Sequence, residues 1–225
     1  MKFSNIYILV PAFNEAEVIG DILKELLDSF SNVIVINDGS EDDIKQVVGE
    51  LDIILINHEI NLGVGAAVQT GFDFVQKIPT SHAVITFDAD GQHSVNDAIS
   101  IAKAISDSEE EIIFGSRFLE HHKNIPLIKR IVLRIVTKLT KITTGVRLTD
   151  AHNGLKAYKL SAIRKLKLQF NGYSYESELI KEVAKKKISY KELSTNVKYT
   201  SYSIKKGQKL ANGLLIIEDL LKLWK

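Results

Sequence analysis

Two aspartates separated by one small residue follow an apolar run in AVITFDADGQH, residues 83–93. Carboxylates at positions i and i+2, here Asp88 and Asp90, can both turn toward one hard cation such as Mg²⁺ or Mn²⁺, with diphosphate oxygens completing its shell. The cation would stabilise a phosphate leaving group. Pairs of this kind also occur in exposed turns, so the pattern alone leaves both interpretations open.

The first half of the chain has the rhythm of a βαβ series. Short β-branched runs at 6–10, 33–36, 53–56, 83–87 and 112–114 alternate with segments of helical periodicity. In the first of these segments one helical face carries Val18, Ile19, Ile22, Leu23, Leu26 and Leu27. Apolar strands joined by helices predict an α/β fold with a mostly parallel central sheet and helices on both faces.

Polar residues follow four of the five runs. They are Asn14 and Glu15, then Asn37, Asp38, Gly39 and Ser40, then Asn61 and Gly63, and finally Asp88, Asp90 and Gln92. Ligands of such sheets bind at the carboxyl ends of the strands. Several polar strand ends at one edge therefore favour a ligand site over an isolated surface turn.

Composition excludes several classes of function. The chain has 225 residues, and its 29 Lys and Arg nearly balance its 28 Asp and Glu, so we expect no nucleic-acid partner. The absence of cysteine excludes disulfides and thiolate metal sites and favours a reducing, cytoplasmic location. Neither a signal peptide at MKFSNIYILVPAFNE nor an uncharged apolar run of membrane-spanning length is predicted, so any membrane attachment would be peripheral.

The glycines of NLGVGAAVQTG, residues 61–71, do not fit the common nucleotide loops. They lack the G-x-G-x-x-G spacing of a dinucleotide fold, and no G-K-[ST] follows them. A sugar-nucleotidyltransferase would have a glycine-rich loop directly after the first strand, where this chain has PAFNEAE. We expect instead a close backbone approach at Gly63 and a helix N-terminus near a diphosphate, with Gly71 serving packing.

The motifs together resemble a family-2 glycosyltransferase of the GT-A fold, a Rossmann-like nucleotide-diphospho-sugar transferase fold. They are VPAFNE (10–15), NDGS (37–40), NLGVGAAVQTG (61–71), FDADGQH (87–93), GSRF (115–118) and TDAHNGLKAYK (149–159). The resemblance is closest to the dolichol- or polyprenyl-phosphate sugar transferases. It includes the D-A-D-x-Q-H string, a basic amphipathic stretch after GSR, and the S-x-x-x-G-x-K-L region at 203–210.

The resemblance implies a set of site residues. Those for the nucleotide sugar, a UDP- or GDP-hexose, are Pro11, Ala12, Phe13, Glu15, Asp38, Gly63, Asp88 and Ala89. Those for Mg²⁺ or Mn²⁺ are Asp88, Asp90 and Gln92. The family usually has two aspartates where this chain has Asn37 and Asp38, which leaves the base open. His93 is interpreted as a structural hydrogen-bonding residue.

The implied reaction is an inverting transfer, and the acceptor decides whether it needs a base. An alcohol acceptor requires one, whereas a lipid phosphate is already ionised near neutral pH. The predicted catalytic residues are Asp90, Asp150, Glu178 and Arg117, with Asp150 and Glu178 as candidate bases. The planar guanidinium of Arg117 suits a phosphate. Glu176 is interpreted as a residue that solvates its helix.

Residues 126–144 predict a basic amphipathic helix. At about 100° per residue, one face carries Ile128, Ile131, Val132, Ile135, Leu139 and Ile142, and a neighbouring stripe carries Arg130, Arg134, Lys138 and Lys141. The helix could bury its apolar face on the sheet or lie on anionic lipid, and the resemblance favours lipid. The predicted contacts to an acceptor phosphate are Arg117, Arg130, Arg134, Lys205 and Lys209.

We therefore predict one glycosyltransferase domain over 1–225, with a nucleotide-sugar half at 1–118 and an acceptor half at 119–225 that ends in a helix at 210–224. Its predicted reaction moves a hexose to a polyprenyl phosphate at the cytoplasmic face of a membrane. Two alternatives stay open. One is a family-2 transferase for a soluble or cell-surface glycan, and the other is a non-catalytic protein that binds sugar nucleotides.

Overall fold

The computed structural model describes residues 2–120, 125 and 127–198. The predictions for Lys205, Lys209, the region 203–210 and the helix at 210–224 lie outside these residues.

Seven strands and seven helices make up the described chain. The strands are β1 (Phe3–Ala12), β2 (Phe30–Asp38), β3 (Ile54–His58), β4 (Ala83–Thr86), β5 (Ile112–Ser116), β6 (Lys156–Lys159) and β7 (Tyr190–Ser194). The helices are α1 (Ala16–Ser29), α2 (Ile44–Gly49), α3 (Val64–Val75), α4 (Val95–Asp107), α5 (Leu127–Thr144), α6 (Leu160–Lys165) and α7 (Tyr175–Lys186). The five β-branched runs of the first half form β1 to β5.

The strands form one mixed sheet in the order β3-β2-β1-β4-β6-β5-β7. All neighbouring pairs are parallel except β4 with β6 and β5 with β6, which are antiparallel. The prediction of a mostly parallel sheet is confirmed. The antiparallel β6 is an addition that the sequence pattern did not indicate, since KAYK is short and has no periodicity of its own.

Both faces of the sheet are covered, as predicted. Along β1 the side chains of Ile6, Ile8 and Val10 join one buried cluster with α1, α2 and α4. Those of Tyr7 and Leu9 join a second cluster with α3, α6 and α7. Alternation along a strand buried on both sides thus divides the core into two layers.

The direction of β6 determines which residues reach the ligand edge of the sheet. The carboxyl ends of β1, β2, β4 and β5 share one edge because these strands are parallel to one another or antiparallel to the same neighbour. An antiparallel strand brings its beginning to that edge. The segment 150–155 before β6 therefore lies beside the segment that follows β4.

Among the described residues, no helix combines the length and the hydropathy that a membrane span requires.

Candidate active site

A cavity of about 520 Å³ opens at the carboxyl edge of the sheet. All eight residues predicted to contact the nucleotide sugar line it, as do Asp90, Gln92 and Arg117. The loops after β1, β2, β3, β4 and β5 and the segment before β6 each contribute to its wall. The polar strand ends of the sequence thus converge on one cavity.

Asp88 and Asp90 lie on the cavity wall directly after β4. Burial and the neighbouring Asp88 carboxylate raise the pKa of Asp90. Burial acts to raise the pKa of Asp88 as well, but the contact with His93 and the nearby charges of Lys156 and Arg117 together outweigh burial, and the pKa is lowered. Two carboxylates that resist ionising together have the electrostatics of a cation site.

Gln92 holds Asp90 in place. Its backbone N–H donates to Asp90 Oδ1 at 3.0 Å, and its side-chain amide donates to Oδ2. The Nε2 atom of His93 lies 3.5 Å from Asp88 Oδ2, and His93 also lines the cavity. Its structural role stays a prediction. Among the described residues there is no cluster of three or more His, Asp or Glu side chains arranged to hold a metal.

Gly154 provides the space for Asp88. A Cβ atom at position 154 would lie 1.9 Å from Asp88 Oδ2, so only glycine permits the carboxylate to lie against this backbone. Thr86 Oγ1 donates to the carbonyl oxygen of Gly154 at 2.7 Å and fixes the same segment to β4. The glycine of the TDAHNG motif is therefore part of the carboxylate site.

Asp38 lines the cavity and also anchors the loop after β3. Its Oδ1 accepts from Leu62 N–H at 2.9 Å, and its Oδ2 accepts from Gly63 N–H at 2.7 Å. The Nδ1 atom of His58 lies 2.6 Å from Oδ1, and the His58 Nε2 atom lies 3.0 Å from Thr70 Oγ1. Contact of Asp38 with a base stays a prediction, and the structure adds the role of loop anchor.

Gly63 and Gly65 permit a close backbone approach at the start of α3. Gly63 has φ +101°, and a Cβ there would lie 2.3 Å from the carbonyl oxygen of Asn171. That oxygen accepts from Gly65 N–H at 2.7 Å. The glycines thus seat the loop that carries Tyr173, which lines the cavity. The close approach predicted at Gly63 is present, with a protein loop as its partner.

Arg117 forms a buried ion pair with Asp150. Its Nε lies 2.6 Å from Asp150 Oδ2, its Nη2 lies 2.9 Å from Oδ1, and its backbone N–H donates to Oδ2 at 3.1 Å. Burial acts to raise the pKa of Asp150, but the guanidinium outweighs it and the pKa is lowered. Asp150 does not line the cavity. The structure therefore corrects its predicted role as a base, because its carboxylate orients Arg117.

Glu178 is also displaced from its predicted role. Its carboxylate accepts from the backbone N–H groups of Gln169 and Phe170 at 2.9 Å and is not part of the cavity wall. A carboxylate engaged in this way anchors the loop before α7 and does not meet an acceptor. The interpretation of Glu176 as solvating its helix is wrong, because Glu176 is buried and pairs with Lys156.

Helix α5 packs on the protein by a different strip from the one predicted. Val136 and Thr140 are buried, and Lys129 and Leu133 line the cavity. Neither Arg130 nor Arg134 lines it, so the prediction that they meet a phosphate there is corrected. The reason is geometric, since these arginines lie about 100° around the helix from Lys129 and Leu133, respectively.

Arg134 is exposed and lies over the ring of Phe118, with its Cζ atom 5.8 Å from the ring centroid. The apolar face of α5 also points away from the sheet. Ile131 and Ile135 are each 49% exposed, and Ile142 is 66% exposed. The interpretation that the helix buries this face on the sheet is therefore wrong.

The cavity residues that were not predicted from the sequence include Lys129 and His152. Burial and the nearby Lys156 charge lower the pKa of His152 from 6.5 to about 4, so its ring is neutral near pH 7. Burial and Arg117 lower the pKa of Lys129. The signal available for His152 was its place inside TDAHNG, whereas nothing in the helical pattern distinguished Lys129 from its basic neighbours.

Comparison with known proteins gives a consistent result. The model of the family described as "Glycosyl transferase family 2" matches residues 7–167. An uncharacterized protein of Methanocaldococcus jannaschii is 33% identical, over 96% of this chain and 90% of its own length.

Other similar proteins are named for the transfer of a sugar to dolichyl phosphate. UDP-N-acetylglucosamine–dolichyl-phosphate N-acetylglucosaminyltransferase of Methanococcus voltae is 32% identical over 97% of this chain and 95% of its own length. A dolichyl-phosphate beta-glucosyltransferase of Trichomonas vaginalis is 30% identical over 67% of this chain and 52% of its own length.

Solved structures agree on the fold. Glucosyl-3-phosphoglycerate synthase from Mycobacterium tuberculosis in complex with UDP has a TM-score of 0.72 at 16% identity, covering 97% of this chain and 79% of that chain. The same enzyme with Mn²⁺, UDP and phosphoglyceric acid has a TM-score of 0.66 at 15% identity, covering 97% and 78%. The predicted GT-A fold is confirmed.

Proposed function

The chain belongs to glycosyl transferase family 2, and from that premise we propose that it transfers a hexose from a nucleoside-diphospho-sugar to a polyprenyl phosphate. The observation that carries this proposal is the arrangement of charge in the cavity. Asp88 and Asp90 lie on its wall together with the cationic side chains of Arg117 and Lys129. Such a cavity suits one phosphate group that leaves and another that attacks.

The donor would lie along the loops after β1, β2 and β3. Pro11, Ala12 and Phe13 supply an apolar wall for a nucleoside, and Glu15 lies beside them. The relative from Methanococcus voltae is named for a UDP-sugar and a dolichyl phosphate, which supports UDP-N-acetylglucosamine as the first donor to test. Other UDP- and GDP-hexoses would be tested after it.

The oxygen-bearing side chains of the cavity suit a divalent cation. The carboxylates of Asp88 and Asp90 repel each other, and the Gln92 side chain contacts Asp90. Carboxylate and amide oxygens are ligands that hard cations prefer. When bound, Mg²⁺ or Mn²⁺ would supply charge neutralisation for the departing diphosphate. The fold neighbour that contains Mn²⁺ and UDP supports the same choice of metal.

The proposed reaction inverts the anomeric carbon. An oxygen of the acceptor phosphate forms a bond to that carbon from one side while the bond to the nucleoside diphosphate breaks on the other. The acceptor oxygen is already ionised near neutral pH, so no base has to remove a proton. This accords with the engagement of Asp150 and Glu178 elsewhere in the protein.

Two cationic side chains of the described cavity wall, Arg117 and Lys129, would bind the acceptor phosphate. Arg117 is held rigidly by Asp150, and Lys129 reaches the cavity from α5. A phosphate held between a fixed guanidinium and an ammonium would be oriented for attack.

Transfer of radiolabelled sugar to a short polyprenyl phosphate tests this assignment, with Lys129→Met compared with the matched control Arg130→Met. We expect Lys129→Met to raise the KM for the lipid phosphate about tenfold, because one charge-assisted hydrogen bond is lost. Arg130→Met should change this KM less than twofold. If Arg130→Met has the larger effect, the assignment to Lys129 is wrong.

We further propose that α5 docks the protein on an anionic membrane surface. Ile131, Ile135 and Ile142 form an exposed apolar stripe, and Lys138 and Lys141 lie exposed on the same helix. An apolar stripe beside a basic one matches the acyl boundary and the anionic headgroups of a bilayer. Lys129 on the same helix lines the cavity, so a docked helix would bring a lipid phosphate to the site.

Co-sedimentation with vesicles tests the docking. We expect wild type to bind phosphatidylglycerol vesicles more strongly than phosphatidylcholine vesicles. Ile131→Ser/Ile135→Ser should bind both at least about tenfold more weakly, since two buried apolar side chains are lost. Lys138→Gln/Lys141→Gln should lose only the preference for anionic lipid. Absence of vesicle binding by wild type, or a dimer that the serine variant abolishes, would contradict docking on lipid.

A further inference from the structure

Lys156 is a fully buried lysine in the interior of the sheet. It lies on β6 between β4 and β5, with 0% of its side chain exposed. Its ammonium pairs with the carboxylate of Glu176, which belongs to the first turn of α7 and is also buried. Lysine is almost never fully buried without a partner, so the two residues have to be considered as one unit.

The pair lies beside the paired carboxylates. Lys156 is directly opposite Thr86 in the antiparallel pairing of β4 with β6, and Asp88 follows Thr86 by two residues. Gly154, two residues before Lys156, is packed against the Asp88 carboxylate. Lys156 therefore lies on the strand whose preceding segment packs against Asp88.

The carboxylate of Glu176 determines how strongly the positive charge of Lys156 acts on the cavity. Arg117 forms an ion pair with Asp150, and Lys156 forms an ion pair with Glu176. These two pairs leave the charges of Asp88 and Asp90 available to a divalent cation. Without Glu176, a buried ammonium next to Asp88 would oppose the cation.

We infer that Lys156 and Glu176 form a positioning pair that sets the affinity of the Asp88–Asp90 site for a divalent cation. The inference rests on the metal site of the proposed function. Glu176 also lies in the first turn of α7, directly after the loop whose Tyr173 lines the cavity, so the same pair fixes the end of that loop. Neither residue contacts the substrate in this account, and both act through Asp88.

The test is the affinity for Mn²⁺, measured by electron paramagnetic resonance of free Mn²⁺ with and without UDP. The proteins are wild type, Glu176→Gln, Lys156→Met and the double variant. We expect Glu176→Gln to weaken Mn²⁺ binding about tenfold, which is the usual effect of losing a residue behind the ligands. Lys156→Met should bind Mn²⁺ at least as tightly as wild type, and the double variant should be within about threefold of it.

The opposite behaviour of the two single variants distinguishes this role from a structural one. Loss of a buried partner destabilises the fold in both variants, so a purely structural pair would weaken Mn²⁺ binding in both. Thermal unfolding of all four proteins accompanies the titrations. Equal weakening in both single variants, or no change in Glu176→Gln, overturns the inference.

Two further outcomes are also decisive. If Glu176→Gln does not fold, Lys156→Met decides alone, since weaker Mn²⁺ binding in that variant overturns the inference. Wild type that binds no Mn²⁺ under either condition overturns it as well. Mn²⁺ binding needs no acceptor, so each of these results is independent of whether sugar is transferred to polyprenyl phosphate.

Discussion

At residue 154 the backbone itself forms part of the carboxylate site. A methyl group there would occupy the position of the Asp88 carboxylate, since the Cβ to Oδ2 distance would be 1.9 Å. We predict that Gly154→Ala displaces Asp88 and weakens Mn²⁺ binding at least about tenfold. The measurement is the same Mn²⁺ titration.

The matched control is Gly49→Ala at the end of α2, where a Cβ would meet nothing within 4 Å. That substitution should leave Mn²⁺ binding unchanged and stabilise the fold by about 0.5 kcal/mol, because it restricts the unfolded chain. Normal Mn²⁺ affinity in Gly154→Ala would show that Asp88 is not a ligand.

The Arg117–Asp150 pair predicts a stability effect that a catalytic base would not produce. Asp150→Asn removes one charge of a buried, doubly hydrogen-bonded pair and should lower the free energy of unfolding by about 3–5 kcal/mol. Urea unfolding measures it. If Asp150→Asn keeps wild-type stability and loses turnover without a change in KM, Asp150 acts as a base and the positioning role is wrong.

His152 links stability to pH. Its pKa is lowered from 6.5 to about 4 in the folded protein. Between these values the unfolded chain takes up a proton that the folded protein does not, so the contribution of this residue is present above pH 6.5 and lost as pH falls toward 4. We predict that wild type loses about 2 kcal/mol more than His152→Gln between pH 7 and pH 5. Identical losses in the two proteins would contradict the buried, neutral ring.

At the scale of elements, the junction between α3 and the loop before α7 depends on Gly65. A Cβ at this position would lie 2.0 Å from the carbonyl oxygen of Phe170. We predict that Gly65→Ala lowers the free energy of unfolding by about 1–3 kcal/mol, the usual cost of overpacking, and raises the KM for the donor because the Tyr173 loop moves. Thermal unfolding and donor kinetics measure the two effects. Unchanged donor KM would separate this loop from the donor site.

Helix α5 shows what periodicity can and cannot predict. The 3.6-residue repeat identified the helix and its apolar stripe from the sequence, and the helix spans Leu127–Thr144. Periodicity does not say which side of a helix meets the protein. Leu133 lines the cavity and Val136 and Thr140 are buried, while Ile135 and Ile142 are exposed. The side that is buried is set by contacts with α7, which are distant in sequence.

At the scale of the whole molecule, the parallel strands of the sheet were predictable from the sequence, whereas the antiparallel strand β6 was not. Runs such as VIVI and AVITF are β-branched, buried on both sides and joined by amphipathic helices, so their parallel pairing follows from the sequence. The strand β6 has only four residues, Lys156–Lys159, and its antiparallel direction depends on contacts with β4 and β5 that are distant in sequence. Local propensity carries no information on such contacts.

The same limit explains which parts of the site were predictable. Residues after predicted parallel strands, such as Asp38 and Asp88, could be assigned to the ligand edge. His152 and Gly154 could not be placed there, because their position depends on the direction of β6. Asp150 and Glu178 were identified as acidic residues of matching motifs, but the sequence does not say where a carboxylate finds its hydrogen-bond donors.

The most direct measurement of the central claim is a competition between acceptors in one reaction. Radiolabelled UDP-N-acetylglucosamine, and then other UDP- and GDP-hexoses, would be incubated with Mn²⁺, a short polyprenyl phosphate and phosphoglyceric acid, using wild type and Asp90→Ala. We predict Mn²⁺-dependent label in the organic phase with wild type and none with Asp90→Ala. Label that enters only water-soluble product, with none on the lipid for any donor, would contradict the proposed acceptor.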